Sequence, residues 1–132
     1  MNQYAEYFEA YIERTNAHEQ MINWFLSHYT DKPIISGLSV GTGNGDFDLQ
    51  VFNSCKNLAR LVAIEPNNAH YRNLEAKIQN FKYDCQLLNI DFETFKSNDK
   101  FDLILFSHSL YYIKNQRAAL EKSYNELLNS NG

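Results

Sequence analysis

The sequence has little of several features that mark particular classes of protein. Its 132 residues include only two cysteines, Cys55 and Cys85, which excludes a disulfide scaffold. No metal site is expected, and both cysteines are predicted to be reduced thiols of a cytoplasmic protein. Twelve basic against sixteen acidic residues give a net charge of −4, which leaves no basic surface for nucleic acid or an anionic membrane. No apolar run approaches ~18 residues, so no membrane span is expected.

Glycine is also scarce, but three of the five glycines stand at alternate positions within the segment 37–48. An apolar run that ends at Val40 precedes them and a helix-like segment follows, which is the strand–turn–helix order of nucleotide pockets. Glycine lets the backbone approach a bulky ligand where a Cβ atom would collide. Gly41, Gly43 and Gly45 are therefore predicted to admit a ligand; an ordinary glycine-rich turn is the alternative.

The residues beside these glycines bear on which nucleotide is bound. The dinucleotide fingerprint requires its third glycine where this chain has Asp46. A carboxylate at the start of a helix also repels a pyrophosphate group, which favours the same end of the helix dipole. Asp46 therefore argues against NAD or FAD and favours a ligand without phosphate at that place.

A carboxylate follows the next apolar run. Residues 61–64 are too few for a helix and are typical of a buried parallel strand. The run ends at Glu65 and Pro66, about 20 residues beyond the glycine turn, where nucleotide folds place an acid that accepts hydrogen bonds from ribose hydroxyls. Glu65 is therefore predicted to bind a ribose, and a solvated glutamate at a strand end is the alternative.

Four segments together resemble the class I S-adenosylmethionine-dependent methyltransferases, and they occur in the order of that family. They are residues 38–45, 64–66, 89–92 and 101–108. The resemblance implies S-adenosylmethionine as the cofactor and methyl transfer to a small-molecule acceptor. Ser39 stands where the family often has an acidic residue, so the usual contact near the methionine moiety is expected to be weaker or replaced.

A narrower resemblance is to the histamine N-methyltransferase group, which also has serine before the glycines. Residues 110–114 are similar to a segment that follows the fourth strand in that group. The histamine-contacting glutamate of the group falls near Ala17, and a glutamine behind its fourth strand falls at His108. A different small amine or another nucleophile is therefore expected as the acceptor.

The resemblance also implies roles for individual residues. Asp91 would meet the adenine amine, with Phe92 as a stacking face and His70 beside the adenosine. His108 is a candidate general base, because imidazole titrates at about pH 6.5, with a histidine that only bonds backbone as the alternative; Tyr112 offers an aromatic face to a sulfonium. The complete set of expected cofactor-binding residues is Ser39, Gly41, Gly43, Gly45, Glu65, Pro66, His70, Asp91, Phe92 and Ser107, and the catalytic candidates are His108 and Tyr112.

Short apolar runs that alternate with helical periods predict an α/β fold with a parallel sheet and right-handed crossovers. The resemblance implies a three-layer, Rossmann-like arrangement with strand order 3-2-1-4. A single domain is expected, with a helical cap at residues 1–30 and the core at 31–132. The expected strands are 34–40, 60–65, 83–88 and 101–107, and the expected helices are 2–13, 16–29, 45–56, 68–79 and 115–128, with a short helix or turn near 91–96.

The family fold has seven strands, and this sequence provides four of them. The fourth strand would have an exposed edge near Leu103 and Leu105, and an exposed strand edge is a template for pairing. We therefore expect a fragment of a longer protein, or a chain that completes itself with a partner or forms a homo-oligomer through this edge. Two functions stay open: a methyltransferase, and a non-catalytic module that binds S-adenosylmethionine.

Overall fold

The computed structural model describes residues 17–29, 33–107, 109–130 and 132. The chain divides into two compact units, with the boundary between Pro33 and Ile34. The described part of the first unit contains helix α1 (Ala17–Tyr29), close to the helix expected at 16–29, whereas the helix expected at 2–13 lies outside the described residues. Within the described residues, no helix combines the length and the apolar character that a membrane crossing requires.

The second unit is built on a four-stranded sheet in which every neighbouring pair is parallel. Leu38 of the first strand pairs with Val62 on one side and with Ile104 on the other. The predicted strand order 3-2-1-4 is confirmed. Parallel pairing brings the carboxyl ends of all strands to one edge, where α/β folds bind their ligands. The strands are β1 (Ser36–Val40), β2 (Arg60–Ile64), β3 (Asp84–Leu88) and β4 (Leu103–Leu105).

Helices follow β1, β2 and β4, and two of them begin at an asparagine whose side chain caps the helix. Asn67 accepts hydrogen bonds from the N–H groups of Ala69 and His70 and so starts the helix after β2. Asn115 does the same for the N–H group of Ala118 at the last helix. The helices are α2 (Asp46–Asn53), α3 (Asn68–Lys77) with a 3₁₀ turn (Ile78–Asn80), a second 3₁₀ turn (Leu110–Tyr112), and α4 (Gln116–Lys122), which continues as a π turn (Ser123–Leu127).

The sheet is covered on both faces. Successive side chains of a strand point to opposite faces, and the neighbours Leu61 and Val62 are both buried. Leu61 packs with Phe52 of α2 and Leu74 of α3, whereas Val62 belongs to a second apolar cluster that includes Ala119 of α4. The helices therefore form two layers around the sheet, as expected for a three-layer α/β/α fold.

The fourth strand is shorter than expected, whereas the last helix and its π continuation cover residues 116–127, close to the helix expected at 115–128. The Phe101 N–H group donates to the carbonyl of Leu127 at 2.7 Å, and the Asn129 N–H group donates to the carbonyl of Phe101 at 2.8 Å. Phe101 and Leu128 thus form a parallel bridge outside β4. Residues 127–129 therefore cover the chain at Phe101, whereas β4 itself is the outer strand of the sheet, and pairing through its edge near Leu103 and Leu105 stays a prediction.

Candidate functional site

The glycine turn lies at the carboxyl edge of the sheet, where β1 ends. The N–H groups of Gly41 and Thr42 both donate to the carbonyl of Ile64, at 2.8 and 3.2 Å, so the turn is attached to the end of β2. Gly41, Gly43 and Gly45 have φ angles of 67°, 65° and 87°. These left-handed conformations cost other L-residues roughly 1–2 kcal/mol each, which explains why the turn requires glycine.

The three glycines face different surroundings. A Cβ atom at Gly41 would lie 2.4 Å from Cβ of Ser109, and one at Gly45 would lie 2.6 Å from Cδ2 of Leu74. A Cβ atom at Gly43 would meet nothing within 4 Å. Gly41 and Gly45 thus allow close packing inside the protein, whereas Gly43 borders open space, and the expectation that these glycines admit a ligand stays a prediction.

Glu65 points into the glycine turn. Its Oε1 accepts a hydrogen bond from the N–H group of Gly43 at 2.6 Å, and its Oε2 accepts one from the N–H group of Asn67 at 2.7 Å. The residue is only 4% exposed, and the Asn89 side chain donates to its carbonyl at 2.8 Å. Each carboxylate oxygen has a second lone pair, so a fixed carboxylate beside Gly43 can still accept hydrogen bonds from a diol.

The start of α3 adds a histidine to this edge. Pro66 is exposed and separates Glu65 from the Asn67 cap. Nδ1 of His70 is buried and has no hydrogen-bond partner among the described residues. Buried polar atoms are nearly always paired, so an unsatisfied nitrogen in the first turn after Glu65 is a position where a ligand atom would complete the bonding.

A buried carboxylate that the sequence analysis missed lies behind the turn. Asp48 in the first turn of α2 is 1% exposed. The Ser39 hydroxyl donates to its Oδ2 at 2.5 Å, and the Ser107 hydroxyl donates to its Oδ1. The pKa of Asp48 is raised from 3.8 to about 7, mainly by burial. The serine hydrogen bonds oppose this rise, and the negative charge of Glu65 adds to it.

Two signals in the sequence could have identified Asp48. Its neighbours Phe47 and Leu49 are apolar, and Asp48 is buried together with both of them. Ser39 also stands where the family often has an acidic residue, and the structure places the Asp48 carboxylate against the Ser39 hydroxyl. Asp46, by contrast, is exposed and pairs with Lys77 at 2.9 Å.

The loop after β4 meets the same edge. The Ser109 hydroxyl donates to the carbonyl of Val40 at 2.6 Å, and Ser107 contacts Asp48, so two hydrogen bonds attach this loop to β1 and α2. Tyr112 lies in the following 3₁₀ turn and is 65% exposed. His108 lies outside the described residues.

The turn after β3 contains Asp91 and Phe92, the residues predicted to meet the adenine. Asp91 is exposed, and its carbonyl accepts the N–H groups of Thr94 and Phe95 at 3.1 and 3.2 Å, which forms the turn expected near 91–96. Phe92 is only 3% exposed, its ring meets the edge of Phe106 at a centroid distance of 5.3 Å, and Nζ of Lys122 lies 4.7 Å from its centre. Apolar packing and a cation therefore surround this ring, and its expected stacking role stays a prediction.

The geometry thus joins Glu65 to Gly43 of the glycine turn, places His70 in the first turn of the helix that follows Glu65, and holds Asp48 between two serines. A diol, an aromatic base and a cationic chain are the chemical groups that such a set can bind, through carboxylate acceptors, an unsatisfied imidazole nitrogen and a buried negative charge. No group of three or more potential metal-ligating side chains occurs among the residues described.

Comparison with known proteins agrees with this arrangement. The model of the methyltransferase domain family matches residues 8–132. Histamine N-methyltransferase A of Xenopus laevis is 28% identical over 147 aligned positions, which cover 91% of this chain and 49% of that protein. The chain thus spans about half the length of the curated relative that it matches.

Solved structures of methyltransferases share the fold. The plantazolicin methyltransferase BpumL in complex with S-adenosylhomocysteine (SAH) superposes with a TM-score of 0.71 at 18% identity, over 95% of this chain and 49% of that one. An S-adenosylmethionine-dependent methyltransferase from Clostridium acetobutylicum gives 0.71 at 16% identity, over 99% and 55%. Coclaurine N-methyltransferase bound to N-methylheliamine and SAH gives 0.66 at 17% identity, over 86% and 33%.

Proposed function

The chain belongs to the methyltransferase domain family, and from this premise we propose that it binds S-adenosylmethionine at the glycine turn. The methyl group would be transferred to an amine nitrogen of a small-molecule acceptor. The observation that carries the proposal is the hydrogen bond between Glu65 and the N–H group of Gly43, beside open space. The amine acceptor is suggested by two relatives named as N-methyltransferases.

The residues present fit this cofactor. Glu65 would accept hydrogen bonds from the ribose hydroxyls, and the free space at Gly43 would receive the adjoining chain. His70 would satisfy its unpaired nitrogen beside the adenosine, and the exposed Asp91 carboxylate would accept from the adenine amine. Pro66 would shape the turn that leads from Glu65 to α3.

The chemistry asked of the protein is mainly positioning. A methyl group on a sulfonium is already activated, so no covalent protein nucleophile is needed. The chain must hold the acceptor nitrogen in line with the methyl carbon and keep it unprotonated. Ser107 would border the reacting end, His108 would accept the proton, and Tyr112 would present an aromatic face to positive charge.

Calorimetric titration with SAH and with NAD tests the binding site. We expect SAH to bind and NAD to bind at least tenfold more weakly, because Asp46 stands at the helix start that a pyrophosphate would need. A titration with adenosine is the matched control for binding of the base and ribose alone. Binding of NAD without binding of SAH would reject the proposal.

A non-catalytic binding module is the second candidate. Tyr112, the described residue expected on the acceptor side, is 65% exposed, whereas Glu65 on the cofactor side is 4% exposed. A labelled-methyl assay with a panel of amines, thiols and phenols separates the two functions. Methyl transfer to an amine supports the enzyme, and SAH binding without transfer to any acceptor supports the module.

A further inference from the structure

Asp48 is a buried carboxylate whose charge no cation balances within the described part of the chain. The three ion pairs found there involve Arg60, Lys77 and Arg117, and none includes Asp48. Its carboxylate is held instead by the hydroxyl groups of Ser39 and Ser107. Buried carboxylates are normally paired with a cation or kept neutral, because removal of a charge from water is costly.

The two serines connect this carboxylate to the edge where the cofactor is proposed to bind. Ser39 lies in β1, one residue before the strand ends, and Ser107 lies in the loop after β4. The Thr42 hydroxyl bonds to Ser39 at 2.7 Å, which joins the glycine turn to the same network. A positive charge brought to this edge would therefore approach Asp48, the buried carboxylate that Ser39 and Ser107 contact.

We propose that Asp48 makes this site selective for cationic ligands and couples their binding to the release of a proton from its carboxyl group. The inference deepens the proposed function and rests on it. S-adenosylmethionine carries an ammonium and a sulfonium beside its carboxylate, SAH carries the ammonium and the carboxylate, and 5′-methylthioadenosine carries none of these charges. The first two are called cationic ligands here because of their positively charged groups. A cation nearby stabilises the ionised carboxylate, so binding of a cation and loss of the proton favour each other.

The groups around Asp48 leave few other sources for this coupling. Glu65 at the end of β2 is the charged group that acts on Asp48, and it disfavours ionisation because its charge has the same sign. The strand β1 and the loop after β4 contribute hydroxyl groups, which do not titrate in this range. His70, in the first turn of α3, also lies at this edge, so the experiment must separate its effect from that of Asp48.

The direction of the pH dependence follows from the acid. In the free protein burial raises the pKa of Asp48 to about 7, so roughly a tenth of the carboxyl is ionised at pH 6 and about nine tenths at pH 8. A ligand that requires the ionised form should therefore bind about tenfold more tightly at pH 8 than at pH 6. Affinity for neutral 5′-methylthioadenosine should change much less.

The test is calorimetry of all three ligands at pH 6, 7 and 8, in buffers of different ionisation enthalpy so that released protons are counted. We expect about half a proton to be released per cationic ligand at pH 7, and none for 5′-methylthioadenosine. SAH and S-adenosylmethionine behaving alike would assign the effect to the ammonium; an effect with S-adenosylmethionine alone would assign it to the sulfonium. Either result supports the proposal.

Asp48→Asn is the decisive variant, and Asp46→Asn is its matched control. Asp46 lies on the same helix but is exposed and paired with Lys77. Asp48→Asn should abolish the proton release and lower the affinity for cationic ligands about tenfold at pH 8, with 5′-methylthioadenosine unchanged; Asp46→Asn should leave all three unchanged. His70 is intact in both variants, so its contribution cancels.

The outcomes separate this inference from the proposed function. Equal pH profiles for charged and neutral ligands, with no proton released, would overturn the role of Asp48 while leaving the cofactor site in place. Failure of all three ligands to bind the unaltered chain would overturn both. If Asp48→Asn does not fold, the proton count and pH profile of His70→Gln decide the question: a release that persists there belongs to Asp48, and a release that is lost overturns the proposal.

Discussion

Asp48 should make the protein less stable as the pH rises, and the Asp48→Asn variant should remove that dependence. In the folded chain burial raises the pKa of Asp48 from 3.8 to about 7. The folded state therefore binds the proton more tightly than the unfolded state does between these values. Stability attributable to this group is full below pH 3.8, falls as the pH rises to about 7 and is constant above it.

The magnitude is large for a domain of this size. One pH unit corresponds to about 1.4 kcal/mol, so the shift from 3.8 to about 7 corresponds to about 4 kcal/mol across the whole range. Domains have free energies of unfolding of roughly 5–15 kcal/mol. Between pH 5 and pH 7 the unaltered chain should lose roughly 2–3 kcal/mol relative to Asp48→Asn.

Urea unfolding at pH 5, 6, 7 and 8 measures this difference. With m-values of roughly 1–3 kcal/mol/M, the midpoints of the two proteins should move relative to each other by roughly 0.5–1.4 M per pH unit below pH 7. Asp46→Asn serves as the control, because this carboxylate is exposed and should give a parallel pH profile. A constant difference between the unaltered chain and Asp48→Asn, or a slope of opposite sign, would show that the serine hydrogen bonds outweigh burial and that Asp48 is ionised at low pH.

Three further substitutions test the site and the core. Glu65→Ala should weaken SAH binding by roughly 1–3 kcal/mol in a titration, because hydrogen bonds to a carboxylate are lost, and unchanged affinity would remove Glu65 from the site. Gly43→Ala should fold with a free energy of unfolding lower by roughly 1–2 kcal/mol, because its backbone is left-handed, and should bind SAH poorly. Gly41→Ala should be less stable still, because its Cβ atom would overlap Ser109. Equal urea midpoints for the two variants would contradict this difference. Phe101→Ala should lower the free energy of unfolding by roughly 3–5 kcal/mol, because Phe101 is fully buried, and a loss below 1 kcal/mol would show that the core collapses around the cavity.

The sequence alone was enough for the family and for the order of the strands. Short apolar runs separated by helical periods predicted the parallel sheet, and the four motifs predicted the methyltransferase family; both predictions are confirmed. The place of Glu65 was also predictable, because the carboxyl ends of adjacent parallel strands meet at one edge and its spacing from the glycines is local information. The roles assigned to Asp91, His108 and Tyr112 stay predictions.

Tertiary structure decided which residues of these motifs have which surroundings. The three glycines are equivalent in sequence, yet only Gly43 borders open space, because packing of other elements fills the space beside the other two. Phe92 follows Asp91 in the chain but points into the core. Asp48 and Ser107 are separated by 59 positions and meet only when β4 pairs with β1. Local patterns record what a residue can do, whereas burial and charge balance are set by segments distant in sequence.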